Sequence, residues 1–117
     1  AIGADPSLVD AHYYLAIALL QGKRPKVLTR KVIETTDEAI AGALALAPSN
    51  GVFHVFRALV RHDYYEVNRM RSPAPSAMEI MQSIGRYAVD KSKLEQLLNQ
   101  LSAMKNNPLY ASLKSSK

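Results

Sequence analysis

The 117-residue chain contains no cysteine and no tryptophan, and only five glycines and six prolines. The missing cysteine excludes a disulfide framework, a cysteine nucleophile and any thiolate metal site. With three histidines and no HExxH pair, the chain gives no basis for a dedicated zinc or iron site, so neither metal nor cofactor is expected. No long apolar run is present: the longest, residues 13–20, is far too short to cross a bilayer. No basic-then-apolar leader opens the sequence, and a soluble, cytoplasmic protein is the expectation. Also lacking are a Gly-rich phosphate loop, a GxSxG elbow and paired catalytic carboxylates. The chain is therefore not expected to be an enzyme.

What is present is helical spacing. Apolar residues recur three and four positions apart, and no stretch alternates apolar with polar over a strand's length. Asp5-Pro6 has the form of an N-cap with proline at the first helical position. The helix it opens runs through Leu8, Ala11, Leu15, Ala18 and Leu19 and stops near Gly22. Thr29 caps a second helix carrying Val32, Ile33, Ile40, Ala43 and Leu44, which Pro48 ends. A third helix is expected from Val52 to Glu66. Ser76 with Glu79 forms a capping box for a fourth, expected to run through Tyr87. Asp90 caps a fifth, whose stripe of Leu94, Leu97, Leu98, Leu101 and Met104 is apolar. Asn106-Asn107-Pro108 ends that helix, and a last turn is expected over Leu109 to Leu113. Met78, Met81 and Met104 are read as core filler. The fold class predicted is all-α.

The chain also repeats itself. Pro6, Ser7, His12 and Ala16 recur as Pro48, Ser49, His54 and Ala58, an offset of 42 residues, and Tyr14 aligns with Phe56. Between the first and second helices lie eight charge-rich residues, 22–29; without them the period is 34, that of a tetratricopeptide repeat. On these residues the chain resembles the tetratricopeptide repeat family. Ala16 and Ala58 match the small positions where its paired helices cross, and Ile40, Ala43 and Pro48 match its second helix. His12, His54, Thr36, Arg57 and Arg61 depart from its pattern. The resemblance implies a TPR-like α-solenoid of antiparallel helix pairs over residues 1–72, with a basic interhelical loop at 22–29. Residues 73–117 would supply C-terminal capping helices, the whole forming a single domain. Because Ala1 to Pro6 echoes Ala43 to Pro48, the chain reads as a piece of a longer protein that begins inside an earlier repeat.

A stack of helix pairs leaves a concave surface lined by the first helix of each pair. The resemblance places Tyr13, Ile17, Leu20, Val55, Leu59 and His62 on that surface, without the Lys and Asn carboxylate clamp of some family members. The leading expectation is a non-catalytic interaction module whose apolar groove receives a peptide or helix of another protein. The basic run Lys23, Arg24, Lys26, Arg30 and Lys31 offers an alternative, a nucleic-acid-binding surface. A regulatory domain of a larger enzyme is a third. No membrane partner is expected, whereas self-association through an open N-terminal end is. The fifth helix either closes the C-terminal end or fills the groove as a built-in ligand. His62-Asp63-Tyr64-Tyr65-Glu66, dense in ionisable groups, reads as a helix end with packed tyrosines and solvated charges. His12 and His54 read as half-buried packing residues.

Overall fold

Three capping side chains set the frame. Thr29 accepts the Val32 N–H, Asn50 accepts those of Val52 and Phe53, and Asp90 accepts that of Lys93. Each satisfies donors left orphaned at a helix start. A computed structural model describes residues 6–87 and 89–115, and the proposed Asp5 cap lies outside them. Every regular element among the described residues is helical: α1 (Pro6–Leu20), α2 (Arg30–Leu46), α3 (Gly51–Arg61), α4 (Ala77–Gln82), α5 (Lys91–Gln100) and α6 (Pro108–Ser115). Short 3₁₀ turns cover Pro25–Val27, Ile84–Arg86 and Ser102–Met104. No described helix is long and apolar enough to cross a membrane.

α1 ends at Leu20, and the chain leaves it through two left-handed residues, Gln21 with φ of +54° and Gly22 with φ of +71°, a conformation that only the glycine adopts without steric cost. α1 and α2 then pack along their lengths, the most extensive helix contact in the molecule. α2 buries Ile33, Thr36, Ala39, Ile40, Ala43 and Leu44, a face drawn by three- and four-residue spacing. Thr36 is fully buried where the repeat pattern prefers alanine. Its hydroxyl is satisfied by donating to the Val32 carbonyl at 2.7 Å. Gly42 makes room for a neighbour: a Cβ there would lie 2.8 Å from the His12 ring.

α3 is the central helix. It buries nearly every residue, because α2, α4 and α5 all pack on it. Phe56, Ala58, Leu59 and Val60 have no exposed surface at all. Ala58 meets Ala77 and Ile80 of α4, while Ala16 joins the main core with Leu20, Ile33 and Phe56. α3 continues into a π-helical turn, His62–Glu66, in which the Val67 N–H reaches back to the His62 carbonyl at 3.0 Å. Such wide turns re-aim side chains within a helix. Here Asp63, Tyr64 and Tyr65 are all buried in succession.

The C-terminal half differs from expectation in four details. The first is that α5 ends at Gln100, where Leu101 leaves helical geometry and Ser102–Met104 form a 3₁₀ turn, short of the stop expected at Asn106-Asn107-Pro108. α4 has its full capping box, with Ser76 and Glu79 each bonding the other's backbone N–H, yet it stops at Gln82 instead of running through Tyr87. Ser83 and Gly85, both weak helix formers, pass the chain into a 3₁₀ turn. Met78 is 57% exposed and so is not core filler, unlike the fully buried Met104. The last turn is a whole helix, α6, capped by Asn107, whose Oδ1 accepts the N–H groups of Leu109 and Tyr110. Leu97, Leu98, Leu101, Met104 and Tyr110 join Val55, Phe56, Leu59 and Val60 in one core.

Candidate functional site

Two buried polar nodes flank the π-turn. In the first, Arg61 is buried and donates to both Asp37 oxygens, at 3.0 and 2.9 Å, and to the carbonyls of Pro73 and Pro75. Arg57 reaches the same carboxylate at 3.4 Å. The repeat pattern wanted apolar residues at both arginines; Asp37, on the facing helix, makes the charge tolerable. Burial pushes the Asp37 carboxyl up, but the bonds and charges of Arg61 and Arg57 outweigh it and hold the group below the usual carboxylate range.

In the second node Asp63 is fully buried, which corrects the expectation of a solvated charge. It accepts from the Arg24 guanidinium at 2.6 and 3.1 Å, the Lys26 backbone N–H at 2.8 Å and Asn107 Nδ2 at 2.8 Å. Burial again favours the protonated form, and again the donors win: Arg24, Asn107 and the Lys26 N–H lower the Asp63 pKa. Asn107 also meets His62 Nδ1 at 3.0 Å, and His62 Nε2 lies 3.1 Å from Glu66. His62 is thus oriented by Glu66 and Asn107, not by its sequence neighbour Asp63. Among the described residues, every buried side-chain nitrogen or oxygen has a partner. These nodes lock the loop, the π-turn and α6 together.

The expected site residues divide accordingly. Leu20, Val55 and Leu59 lie in the core, at 2%, 1% and 0% exposure, so the six do not line one open groove. Ile17 is half-buried against that core, and His62 belongs to the Asp63 network. Of the six, Tyr13 borders the larger of two clefts. In the basic run, Lys23, Lys26, Arg30 and Lys31 are exposed, with Arg30 3.5 Å from Glu34 one turn on. Arg24 is turned inward to Asp63.

The cleft that Tyr13 borders has a volume of about 500 Å³ and lies between α1 and the N-terminal ends of α3 and α5. Val52, Phe53 and Val89 supply apolar lining, and Asp10, Tyr14, Asp90, Lys93 and Gln96 are part of its polar wall. Tyr13 is fixed from two sides: its ring stacks on Phe53 at 5.5 Å and its hydroxyl donates to Gln100 Oε1 at 2.9 Å. Burial, with Tyr14 alongside, pushes the Tyr13 hydroxyl up to about 12, so it stays a neutral donor near pH 7. Tyr14 meets Tyr13 edge-on at 5.3 Å and is 58% exposed. Below Tyr14, α1 turns a stripe outward: Leu8 and Leu15, about half exposed, with Ala11 and Ala18 between and beyond them.

A second, smaller cleft of about 270 Å³ is bordered by His54, Arg57 and Tyr87. His54 stacks on Tyr87 at 4.0 Å and lies 2.8 Å from the Pro48 carbonyl, a packing role matching the sequence reading. Neither cleft reaches His62. Among the described residues no three His, Asp or Glu side chains are grouped to hold a metal ion.

Asp37, Asn107 and the acids of the larger cleft were missing from the sequence-based site. Asn107 had a readable signal, since Asn immediately before Pro is a helix start as much as a helix end. No protein-family model matches the chain, and neither does any curated protein or solved structure.

Proposed function

We propose that the chain is a TPR-like, non-catalytic interaction module that binds a peptide or helix of a partner protein. Its binding surface is the aromatic cleft and the α1 stripe that leads into it. The carrying observation is this continuity: Leu8, Leu15 and Tyr14 are each about half exposed on one helix, and Tyr14 also borders the cleft. Apolar side chains spaced along a helix face suit a partner's anchors, and a cleft of this size holds one or two side chains. The α1–α2 pair and the buried alanines Ala16 and Ala58 support the repeat reading. The nucleic-acid alternative is weakened, because Arg24, Arg57 and Arg61 are engaged by Asp63 and Asp37.

Panning a random peptide library against the chain tests this. Enriched peptides should lose about tenfold in affinity, or ~1.4 kcal/mol, with Leu15→Asp or Tyr14→Ala. Lys105→Glu, outside the cleft, should leave them unchanged. Peptides insensitive to the α1 variants defeat the proposal, as does binding confined to nucleic acid with a steep salt dependence.

A further inference from the structure

The cleft reverses the charge of the molecule around it. The chain carries a net charge of +5, yet two carboxylates, Asp10 and Asp90, border this cleft against one ammonium, Lys93. Asp10 sits one turn before Tyr14 on α1, so carboxylate and ring share a face. Asp10 has no ion-pair partner among the described residues. Tyr14 meets Tyr13 edge-on, with ring centres 5.3 Å apart, and is itself 58% exposed, whereas the Tyr13 ring is packed against Phe53 and Phe56 as well. Phe53 and Gln100 hold Tyr13 in place, and Tyr13 in turn braces one side of Tyr14.

An exposed aromatic ring beside carboxylates suits a cation: its face is electron-rich and attracts a positive group, and the carboxylates neutralise it. An anion fits poorly. The helix starts of α3 and α5 border the cleft, but Asn50 and Asp90 already occupy N–H groups at both. Building on the interaction reading, we propose that the cleft recognises a side-chain cation, the guanidinium or ammonium group of an Arg or Lys in the bound peptide. That group sits on the exposed Tyr14 ring, faced by Asp10 and Asp90. The peptide is therefore basic at one position and apolar where it follows the α1 stripe.

The test uses small probes on the whole chain. N-acetyl-arginine methylamide, N-acetyl-lysine methylamide and the neutral N-acetyl-norleucine methylamide are titrated while the Val52, Phe53 and Gln96 amides are followed by NMR. Both cations should shift these amides saturably, with norleucine at least about threefold weaker. The Asp10→Asn, Asp90→Asn double variant should weaken the cations about threefold to fivefold while keeping its melt, because Asn caps α5 as well as Asp does. Tyr14→Leu should act similarly while retaining bulk. Norleucine binding equal to arginine, inorganic phosphate shifting the same amides, or no saturable shift with any probe would each overturn the cation assignment. Library peptides that map to the cleft irrespective of their charge would overturn it too, yet leave the interaction reading intact. Cation binding with peptides mapping elsewhere would do the reverse.

Discussion

The Arg24 guanidinium and the Asp63 carboxylate bond at two points, Nη2 to Oδ1 at 2.6 Å and Nε to Oδ2 at 3.1 Å, across 39 residues of sequence. The pair pins the loop between α1 and α2 to the end of the central helix. Arg24→Ala leaves Asp63 buried without its counter-charge. Since Arg24 keeps some exposure, the expected loss is toward the low end for a broken buried pair, about 2–4 kcal/mol. Lys23→Ala and Lys31→Ala, on exposed positions of the same basic run, should stay within about 0.5 kcal/mol. Urea melts of the three variants decide. Equal midpoints would show that the loop contributes nothing to the fold.

Acid should undo both polar nodes. Burial favours the protonated form of Asp63 and Asp37, but the arginine bonds outweigh it and lower both groups below the usual carboxylate range. Unfolded, each titrates near ~3.9. A pKa lowered by folding contributes stability that is fully present above the unfolded value and is lost as pH falls through the folded one. The melting temperature should therefore hold between about pH 7 and 5 and fall progressively below that. Asp37→Asn should lower stability at neutral pH and flatten the acid decline. A decline of unchanged steepness in that variant would place the acid sensitivity elsewhere.

The local grammar of the chain was legible, and its long-range chemistry was not. Thr29, Ser76 with Glu79, and Asp90 all cap the helices assigned to them, because a cap's donor lies two or three residues away. Asp63 was misread because its partners, Arg24 and Asn107, lie 39 and 44 residues distant, beyond any local pattern. Arg61 carried a clue. An arginine on an otherwise apolar helix face calls for a buried acid, and the preceding helix offers three, Glu34, Asp37 and Glu38, among which only the packing selects Asp37. The cleft was half visible: Tyr13 stood out with Asp10 on the same helix, whereas Asp90 and Lys93 become its neighbours only when α5 folds back toward α1.

Ala16 and Ala58 test the repeat phase. Both have 0% exposure, one in the main core and one against Ala77 and Ile80. Leucine at either position adds three carbons to a site with no free surface. The overpacking should cost about 1–3 kcal/mol in each variant, read from thermal melts. Parental stability in both would mean that the helices can part there, contrary to a close crossing.

The burial of α5 bears on the two roles considered for it, an end cap or a displaceable ligand. Ending the chain before Asp90 removes Leu97, Leu98, Leu101, Met104 and Tyr110, none more than 4% exposed. At about 1.5–3 kcal/mol per buried apolar side chain, their loss comes to roughly 7–15 kcal/mol. That matches the whole stability of an ordinary domain, ~5–15 kcal/mol. The cut also takes Asn107 from Asp63, leaving part of a buried carboxylate unsatisfied. A displaceable ligand leaves a folded receptor behind; α5 should not. The shortened chain is expected to lose its cooperative melt and bind hydrophobic dye. Leu97→Ala, a milder cut into the same contact, should cost about 2–5 kcal/mol while preserving cooperativity. A shortened chain that melts cooperatively, with an apolar surface newly open to peptides, would show that α5 had been occupying a groove after all.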